Sequence, residues 1–372
     1  MGIIILQMSG DKISYSNLGL LETFKDLPIA IVSLFAVSFI GRFGTKRSLL
    51  LSLLVVAISC FSMPYLNVFW FLKVWFAVIG ICFAIAKISI YGIIRNNIEG
   101  DTTLVKVMSS VEAAFMFGIF IVNIGFGWLI SSQYSDYWKF GFWMISFLAF
   151  LNIFLLYKMK VAENKTVIKT RFFNFPERLF TKNILFFFGI IFTIVFIEVN
   201  FNAWLPSFYK NHLSVNSFFA LQATAFLALF SYVGRVVTSK IIQHFSLNKY
   251  FLTCLSVIFL LLILAQFLLW NGSTRAALFV FPAIGFFLAP LYPVISSKMM
   301  VNISKNDINI FTSFIVIFSS LGSSLGSISM AYLFHFGCGN NFALLVTFAV
   351  IMLYIITGLY FRSYSTKADY KY

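Results

Sequence analysis

Long apolar runs alternate with short polar breaks along nearly the whole chain. Each run approaches about 20 residues, the length at which an α-helix crosses a hydrocarbon layer roughly 30 Å thick. The pattern predicts an all-α polytopic membrane helix bundle with about eleven transmembrane helices. The expected spans are approximately residues 26–41, 48–66, 69–94, 107–130, 139–157, 183–208, 218–242, 250–269, 276–299, 309–334 and 342–361.

Composition agrees with a chain that is surrounded by lipid. Hydrophobic residues make up 60% of the 372 residues and charged residues 10%, whereas a soluble domain carries about 25% charged residues. The net charge of +15 comes from Lys and Arg in the polar breaks, so we expect a lipid bilayer and no nucleic acid as a partner. The four cysteines show no C-x-x-C spacing, so we expect no disulfide framework, metal site or cofactor.

The distribution of Lys and Arg over alternate breaks predicts the orientation in the membrane. Of the 27 such residues, 20 fall in one set of breaks and five in the other. Because cytoplasmic loops carry the excess, this split places the C-terminus in the cytoplasm. We expect a multi-pass protein of a bacterial inner (plasma) membrane that acts as a monomer.

The longest polar stretch, residues 158–182, predicts a basic cytoplasmic linker between two pseudo-repeated bundles. It separates a five-helix bundle over 1–157 from a six-helix bundle over 183–372. The break Gly41–Arg47 has a counterpart in Gln243–Lys249, since both run basic residue, Phe, small residue and then a cation. We therefore expect the first bundle to be one helix short, with Gly2–Leu6 as the tail of the missing or truncated helix.

The first of these breaks resembles the loop signature that follows the second helix in the major facilitator superfamily. Arg42, Gly44 and Lys46 stand in matching places. Members of that superfamily have two six-helix bundles and a basic central loop, so the spans here would correspond to helices two to twelve. The resemblance implies a conformational role for the loop residues Arg42, Gly44, Lys46 and Arg47.

Motifs in the second half are similar to the fucose-proton symporter branch of the same superfamily. They are Trp-Leu-Pro at 204–206, Gly-Arg at 234–235 and Ala-Pro-Leu-Tyr-Pro at 289–293. This similarity implies uptake of a sugar or a similar polar metabolite by alternating access. We expect Arg235 at the inner end of its span, beside the conformational loops.

Glu198 is the leading candidate for chemistry, because a charged side chain at the centre of a spanning helix costs about 2.5 to 3.5 kcal/mol. It lies in the sixth span with Asn202 and Trp204 nearby in an otherwise Phe- and Ile-rich segment. The carboxylate would take up and release a proton, or accept hydrogen bonds from solute hydroxyls. A structural bond to a neighbouring helix is the alternative.

Lys87 and Glu112 form a second candidate pair. They lie at nearly equal depths from the inner edge of adjacent antiparallel spans, so pairing would offset the burial of both charges. A structural or gating role is favoured over substrate binding. Further residues would either line a polar cavity or bond between helices, namely Asn123, Gln222 and Tyr292.

The run 322–326 matches the letters of the hydrolase motif G-x-S-x-G. It lies within an apolar span, where G-x-x-x-G spacing lets two helices approach closely. We therefore predict close packing there and no nucleophile. The sequence contains no paired carboxylates or Ser/His/Asp set, so we do not expect an enzyme.

These features favour a secondary active transporter of a small solute. An embedded acid is present and a Walker loop is absent from the sequence, which favours protons over ATP as the energy source. An exporter of amphipathic compounds is the rival within transport. A non-transporting sensor or a degraded transporter is the rival outside it.

Overall fold

The computed structural model describes residues 15–65, 68–98, 101–159, 181–301, 303 and 307–368. Among these residues all regular elements are helices. The α-helices are α1 Tyr15–Phe43, α2 Thr45–Ser62, α3 Phe69–Asn97, α4 Asp101–Ser131, α5 Gly141–Lys158, α6 Lys182–Val199, α7 Leu205–Asn211, α8 Ser217–Ile241, α9 Leu247–Trp270, α10 Thr274–Leu288, α11 Leu291–Val301, α12 Ile308–His335 and α13 Phe342–Ala368.

Eleven stretches of the described residues are long and apolar enough to cross a membrane, which confirms the predicted helix bundle. Two of them combine successive helices: α6 with α7 over Lys182–Asn211, and α10 with α11 over Thr274–Met300. All but one of the predicted boundaries agree with these stretches to within four residues. Apolar length alone therefore located the spans.

The exception is the start of the first span, where the prediction was wrong. The predicted span began at residue 26, but α1 extends back to Tyr15 and contains Glu22, Lys25 and Asp26. These charges interrupt the apolar run, yet Lys25 pairs with both acids and so balances one of their two negative charges. Lys25 Nζ lies 2.5 Å from Glu22 Oε2 and 3.4 Å from Asp26 Oδ1, which offsets their burial.

Two spans depart from regular α-helix in their middle. In the first, α6 passes through a π-helical turn, Asn200–Trp204, before α7. In the second, α10 ends at Leu288 and α11 begins at Leu291. Pro290 lies in that gap and lacks an N–H donor, so the regular ladder of backbone hydrogen bonds cannot run through it. Both irregularities expose backbone groups in the interior of the bundle.

The N-terminal half (α1–α5) meets the C-terminal half (α6–α13) along two helix pairs. Helix α1 packs along α12, and α4 packs along α8. Gly19 on α1 lies against Ala331, and Gly92 on α3 lies against the Asn309 side chain. These contacts lie at opposite ends of the bundle, so the two halves touch at both ends.

Two parts of the predicted domain organisation lie outside the described residues. They are most of the linker, residues 160–180, and the segment Gly2–Leu6. The division into five-helix and six-helix bundles stays a prediction.

The G-x-x-x-G run on α12 packs as predicted. A Cβ atom at Gly322 would overlap the Phe192 carbonyl oxygen, and one at Gly326 would come within 2.9 Å of the Phe196 carbonyl oxygen. Both positions thus bring α12 against the backbone of α6. Small residues allow this approach, and the hydrolase reading of the run stays rejected.

Candidate functional site

Ionisable side chains from both halves converge in the interior of the bundle. Lys87 and Tyr91 come from α3, Glu112 from α4, Glu198 from α6, Arg235 from α8 and Tyr292 from α11. We call these six residues the central charge cluster. Each of the four charged members costs free energy in a low-dielectric surrounding, so their mutual arrangement determines which charges persist.

Arg235 lies beside both carboxylates of the central charge cluster. Its guanidinium lies 3.4 Å from Glu112 Oε2 through Nη1 and 3.7 Å from Glu198 Oε1 through Nη2. It also donates hydrogen bonds to two backbone carbonyls, that of Glu112 at 2.7 Å and that of Ala289 at 3.0 Å. The Ala289 carbonyl is available because the helix is interrupted between α10 and α11.

Arg235 lies in the last two turns of α8, but its side chain is buried and not at the membrane interface. We predicted a cation at the inner end of its span, whereas the side chain is 1% exposed. Its span of apolar residues could not show that two carboxylates and two carbonyls face the same point. A planar guanidinium with five donors can satisfy all of them, which a lysine could not do.

Glu198 lies beside Arg235, but it is bonded more loosely than Glu112. Its Oε1 atom forms no hydrogen bond to any residue in the described part of the chain. The Asn202 side chain donates to the backbone carbonyl of Glu198 at 2.9 Å, and this amide belongs to the π-helical turn. π-Helical turns frequently mark functional sites, and this one places Asn202 next to the carboxylate.

Glu112 has partners on three sides. The Tyr91 hydroxyl donates to Glu112 Oε1 at 2.5 Å, and Arg235 lies at Oε2. The predicted partner, Lys87, is not within 4.0 Å of any carboxylate in the described residues, although it is close enough to Glu112 and Glu198 for electrostatic attraction. Depth along the helices correctly suggested proximity, but Arg235 takes the position that Lys87 was expected to occupy.

A small cavity adjoins Glu198 between the two halves. Its volume of about 10 Å³ corresponds to roughly one water molecule. Polar and apolar residues share the lining, which comprises Met116, Glu198, Phe201, Asn202, Leu227, Ser231, Gly285, Leu288 and Ala289. A solute larger than water requires the halves to separate before it can enter.

The other predicted site residues lie in different surroundings. Trp204 is fully buried and donates from its indole nitrogen to Ser327 Oγ at 3.1 Å, away from the cavity lining. Gln222 covers Gly127 where α8 meets α4, and Asn123 is buried on α4. The ring of Tyr292 lies under Lys87, with the ammonium 4.5 Å from its centre.

The predicted conformational loop lies between α1 and α2. Gly44 adopts a φ of 87°, a value that favours glycine and permits the abrupt reversal between the two helices. Lys46 donates to the carbonyls of Tyr157 and Met159 at 3.0 and 2.5 Å, which ties the loop to the end of α5. Arg42 and Arg47 are exposed.

Sequence reasoning missed a second group of buried charges, Glu22, Lys25 and Asp26, which we call the α1 charge cluster. Glu22 and Asp26 are 1% and 2% exposed. Ser323 of α12 faces Asp26, so the cluster lies where the halves meet. The spacing of these residues in the sequence could have indicated the cluster. The two acids are four residues apart, on one face of a helix, and the lysine is next to one of them.

Known structures share this arrangement of helices. The crystal structure of the Escherichia coli fucose:proton symporter FucP aligns with a TM-score of 0.73 and 15% identity, covering 92% of this chain and 90% of that one. Another FucP structure, in the outward conformation, gives a TM-score of 0.72 at 14% identity, with coverages of 92% and 89%. These identities establish a common fold and nothing finer.

A human protein has a similar structure. The organic anion transporter MFSD10 (TETRAN) aligns with a TM-score of 0.70 and 12% identity, covering 91% of this chain and 83% of that one. No curated protein sequence matches the chain.

Structural similarity at low sequence identity does not assign a chain to a family, but a match to a family model does. The model described as Major Facilitator Superfamily matches residues 1–327, which is most of the 372-residue chain. This multi-pass membrane protein belongs to the Major Facilitator Superfamily.

Proposed function

We propose that this protein is a proton-coupled symporter that takes up a small polar metabolite of the sugar class. Glu198 is the proton-binding group in this proposal. The observation that carries it is the position of the Glu198 carboxylate, which lines the cavity between the halves and leaves Oε1 without a hydrogen bond among the described residues.

Arg235 gives the two protonation states of Glu198 different consequences. An ionised Glu198 attracts the guanidinium at 3.7 Å, while a protonated one exerts no such attraction and can donate a hydrogen bond to a solute hydroxyl. Glu112 holds the same guanidinium from the other half. Proton uptake therefore weakens a contact within the C-terminal half and leaves the contact between the halves in place.

The proposal also includes an orientation of the protein in the membrane. The excess of Lys and Arg in one set of connections favours a cytoplasmic C-terminus in a bacterial inner membrane. Protons and solute would then enter together from the outer side. The solute would bind at the central charge cluster when the outer contact between Gly19 and Ala331 has opened. We propose that a monomer carries out this cycle.

The test is solute accumulation and pH change in right-side-out vesicles that contain the protein. A panel of sugars and small acids is added, and alkalinisation outside is recorded. One proton crossing 100 mV delivers about 2.3 kcal/mol, enough to concentrate a neutral solute about 50-fold. We expect the Glu198→Gln variant to equilibrate its solute without concentrating it, because the amide cannot carry the proton.

A matched control makes the same chemical change at an exposed acid outside the bundle. Asp136→Asn removes a carboxylate from the connection between α4 and α5, and we expect normal accumulation. If Glu198→Gln also accumulates solute normally, Glu198 is not the coupling residue. If the inserted wild-type protein produces neither accumulation nor a pH change with any solute of the panel, export of amphipathic compounds or a non-transporting role is favoured.

A further inference from the structure

Lys87 is a cation in the middle of α3 whose nearest neighbours are aromatic rings. Its ammonium lies 4.5 Å from the centre of the Tyr292 ring and 5.7 Å from the centres of the Tyr91 and Phe83 rings. Among the described residues, no carboxylate comes within ion-pair distance of it. Ring faces attract a cation, and the Tyr292 side chain also interacts with the ammonium through its hydroxyl.

The nearby carboxylates are already engaged by other groups. Glu112 accepts from Tyr91 and pairs with Arg235, and Glu198 lies beside the same guanidinium. The cluster holds two cations and two acids: Lys87 is attracted mainly to Glu112, and Arg235 lies beside both acids. Once Glu198 is protonated, the cluster has one excess positive charge, which Arg235 and Lys87 share. Because the Arg235 guanidinium already donates to two backbone carbonyls, Lys87 is the cation that a solute can reach when the halves separate.

The position of Lys87 between the halves suggests how it becomes accessible. Lys87 belongs to the N-terminal half and Tyr292 to the C-terminal half, so separation of the halves removes the ring that covers the ammonium. Asn202 and Ser231 line the cavity beside Glu198, the other acid of the central charge cluster, and supply an amide and a hydroxyl. A cation beside neutral polar groups suits an anion that also carries hydroxyls.

We propose that Lys87 binds the carboxylate of the transported solute and that the solute is a hydroxylated monocarboxylate, such as a sugar acid. A single uncompensated charge fits a monoanion better than a dianion such as phosphate. Transport of the anion together with one proton is then electroneutral. The proton in this scheme rests on the proposed function, whereas the contact between ammonium and carboxylate does not.

The test compares matched pairs of solutes on the purified protein. Glucuronate is compared with glucose, and lactate with propane-1,2-diol, at equal ionic strength, with the midpoint of thermal unfolding as the readout. A ligand that binds only the folded state raises this midpoint. We expect glucuronate or lactate to raise it and the neutral partners to leave it unchanged.

Variants then locate the contact. Lys87→Gln is expected to weaken the response to the carboxylate roughly tenfold or more, because truncating one side of a desolvated charge pair has a large effect. Lys73→Gln is the matched control, since Lys73 lies on the same helix and also faces rings, those of Phe24 and Phe69. We expect its response to stay within about twofold of the wild type, as for a rim charge.

Each contrary outcome is decisive. Equal responses to the acid and its neutral partner, no response to either carboxylate, or an unchanged response in Lys87→Gln would overturn the assignment. If Lys87→Gln does not fold, Lys87→Met removes the charge and keeps the apolar stem of the side chain. A weaker carboxylate response in that variant supports the contact, and a response equal to the wild type refutes it.

The outcomes also separate this inference from the proposed function. Glu198→Gln should keep the carboxylate response in the unfolding assay, because that variant mimics the protonated acid, while it loses driven accumulation. Carboxylate binding that depends on Lys87 without proton-driven uptake would retain the substrate assignment and reject the symport. Proton-driven uptake of neutral sugars that is insensitive to Lys87→Gln would retain the symport and reject the substrate assignment.

Discussion

Arg235 donates to a backbone carbonyl in each half of the molecule, that of Glu112 in α4 and that of Ala289 between α10 and α11. Its charge also lies against two carboxylates. At the scale of single residues, the site therefore depends on one guanidinium that several elements share. Removing it would leave Glu112 without its ion-pair partner inside the membrane.

We expect Arg235→Gln to lower stability by about 3 to 5 kcal/mol, the usual consequence of breaking a buried ion pair from one side. The double variant Arg235→Gln with Glu112→Gln should recover part of this loss, because Glu112 no longer leaves an unpaired carboxylate, although Glu198 still lacks its cation. Thermal unfolding in detergent measures both effects. A double variant no more stable than the single one would contradict the pairing of Glu112 with Arg235.

The corresponding sequence-based expectation paired Glu112 with Lys87. Both residues do lie in the central charge cluster, so depth along neighbouring spans was a sound guide to proximity. The choice of partner needed the directions of the side chains around each helix. Those directions depend on helix rotation, which a nearly uniform apolar run does not encode.

At the scale of elements, close helix contacts rest on glycine. Gly322 brings α12 against the backbone of α6, and Gly234 brings α8 against the Phe286 carbonyl of α10. Hydrophobic burial does not drive helices together in lipid, so tight van der Waals contact must stabilise the bundle. Each of these contacts leaves no space for a methyl group.

We expect Gly322→Ala to lower the thermal unfolding midpoint, with a loss of about 1 to 3 kcal/mol, the range typical of overpacking. Gly118→Ala is the matched control, because no neighbouring atom lies within 4 Å of a Cβ there. That change should be neutral or stabilise by up to about 1 kcal/mol, as expected for glycine in a helix interior. Equal losses in the two variants would show that packing against Phe192 is not the cause.

At the scale of the whole molecule, the two halves touch at both ends while the central cavity holds roughly one water molecule. Transport by alternating access requires one end to open at a time. The contacts of Gly19 with Ala331 and of Gly92 with Asn309 must break in turn.

Disulfide trapping tests this movement in a background without the native cysteines. We expect oxidation of the pair Gly92→Cys and Asn309→Cys to stop solute uptake and reduction to restore it, because the bond joins the two halves. The control pair, Gly189→Cys with Ile356→Cys, joins α6 to α13 within one half, where a Cβ at 189 lies 3.7 Å from Ile356. Uptake should survive oxidation of the control pair. Uptake that continues with the 92–309 bond formed would exclude opening at that end.

The sequence by itself determined the membrane-spanning architecture and the superfamily. Lipid imposes a minimum length of apolar helix on every span, so hydropathy located eleven spans and nearly all their boundaries without knowledge of packing. The resemblance of Gly41–Arg47 to a loop signature led to the superfamily, and the motif at 289–293 suggested one of its branches. Glu198 was recognised because an acid inside an apolar run is costly wherever it faces.

Only the tertiary structure decided which charges neutralise one another. Glu22, Lys25 and Asp26 looked like the end of a span because their mutual pairing was not evident in the hydropathy. Arg235 looked like an interfacial cation for the same reason. The strength of an ion pair depends on the separation of the charges and on their dielectric surroundings. Hydropathy contains neither quantity, so the partners of Arg235 became known only when helices from both halves were placed side by side.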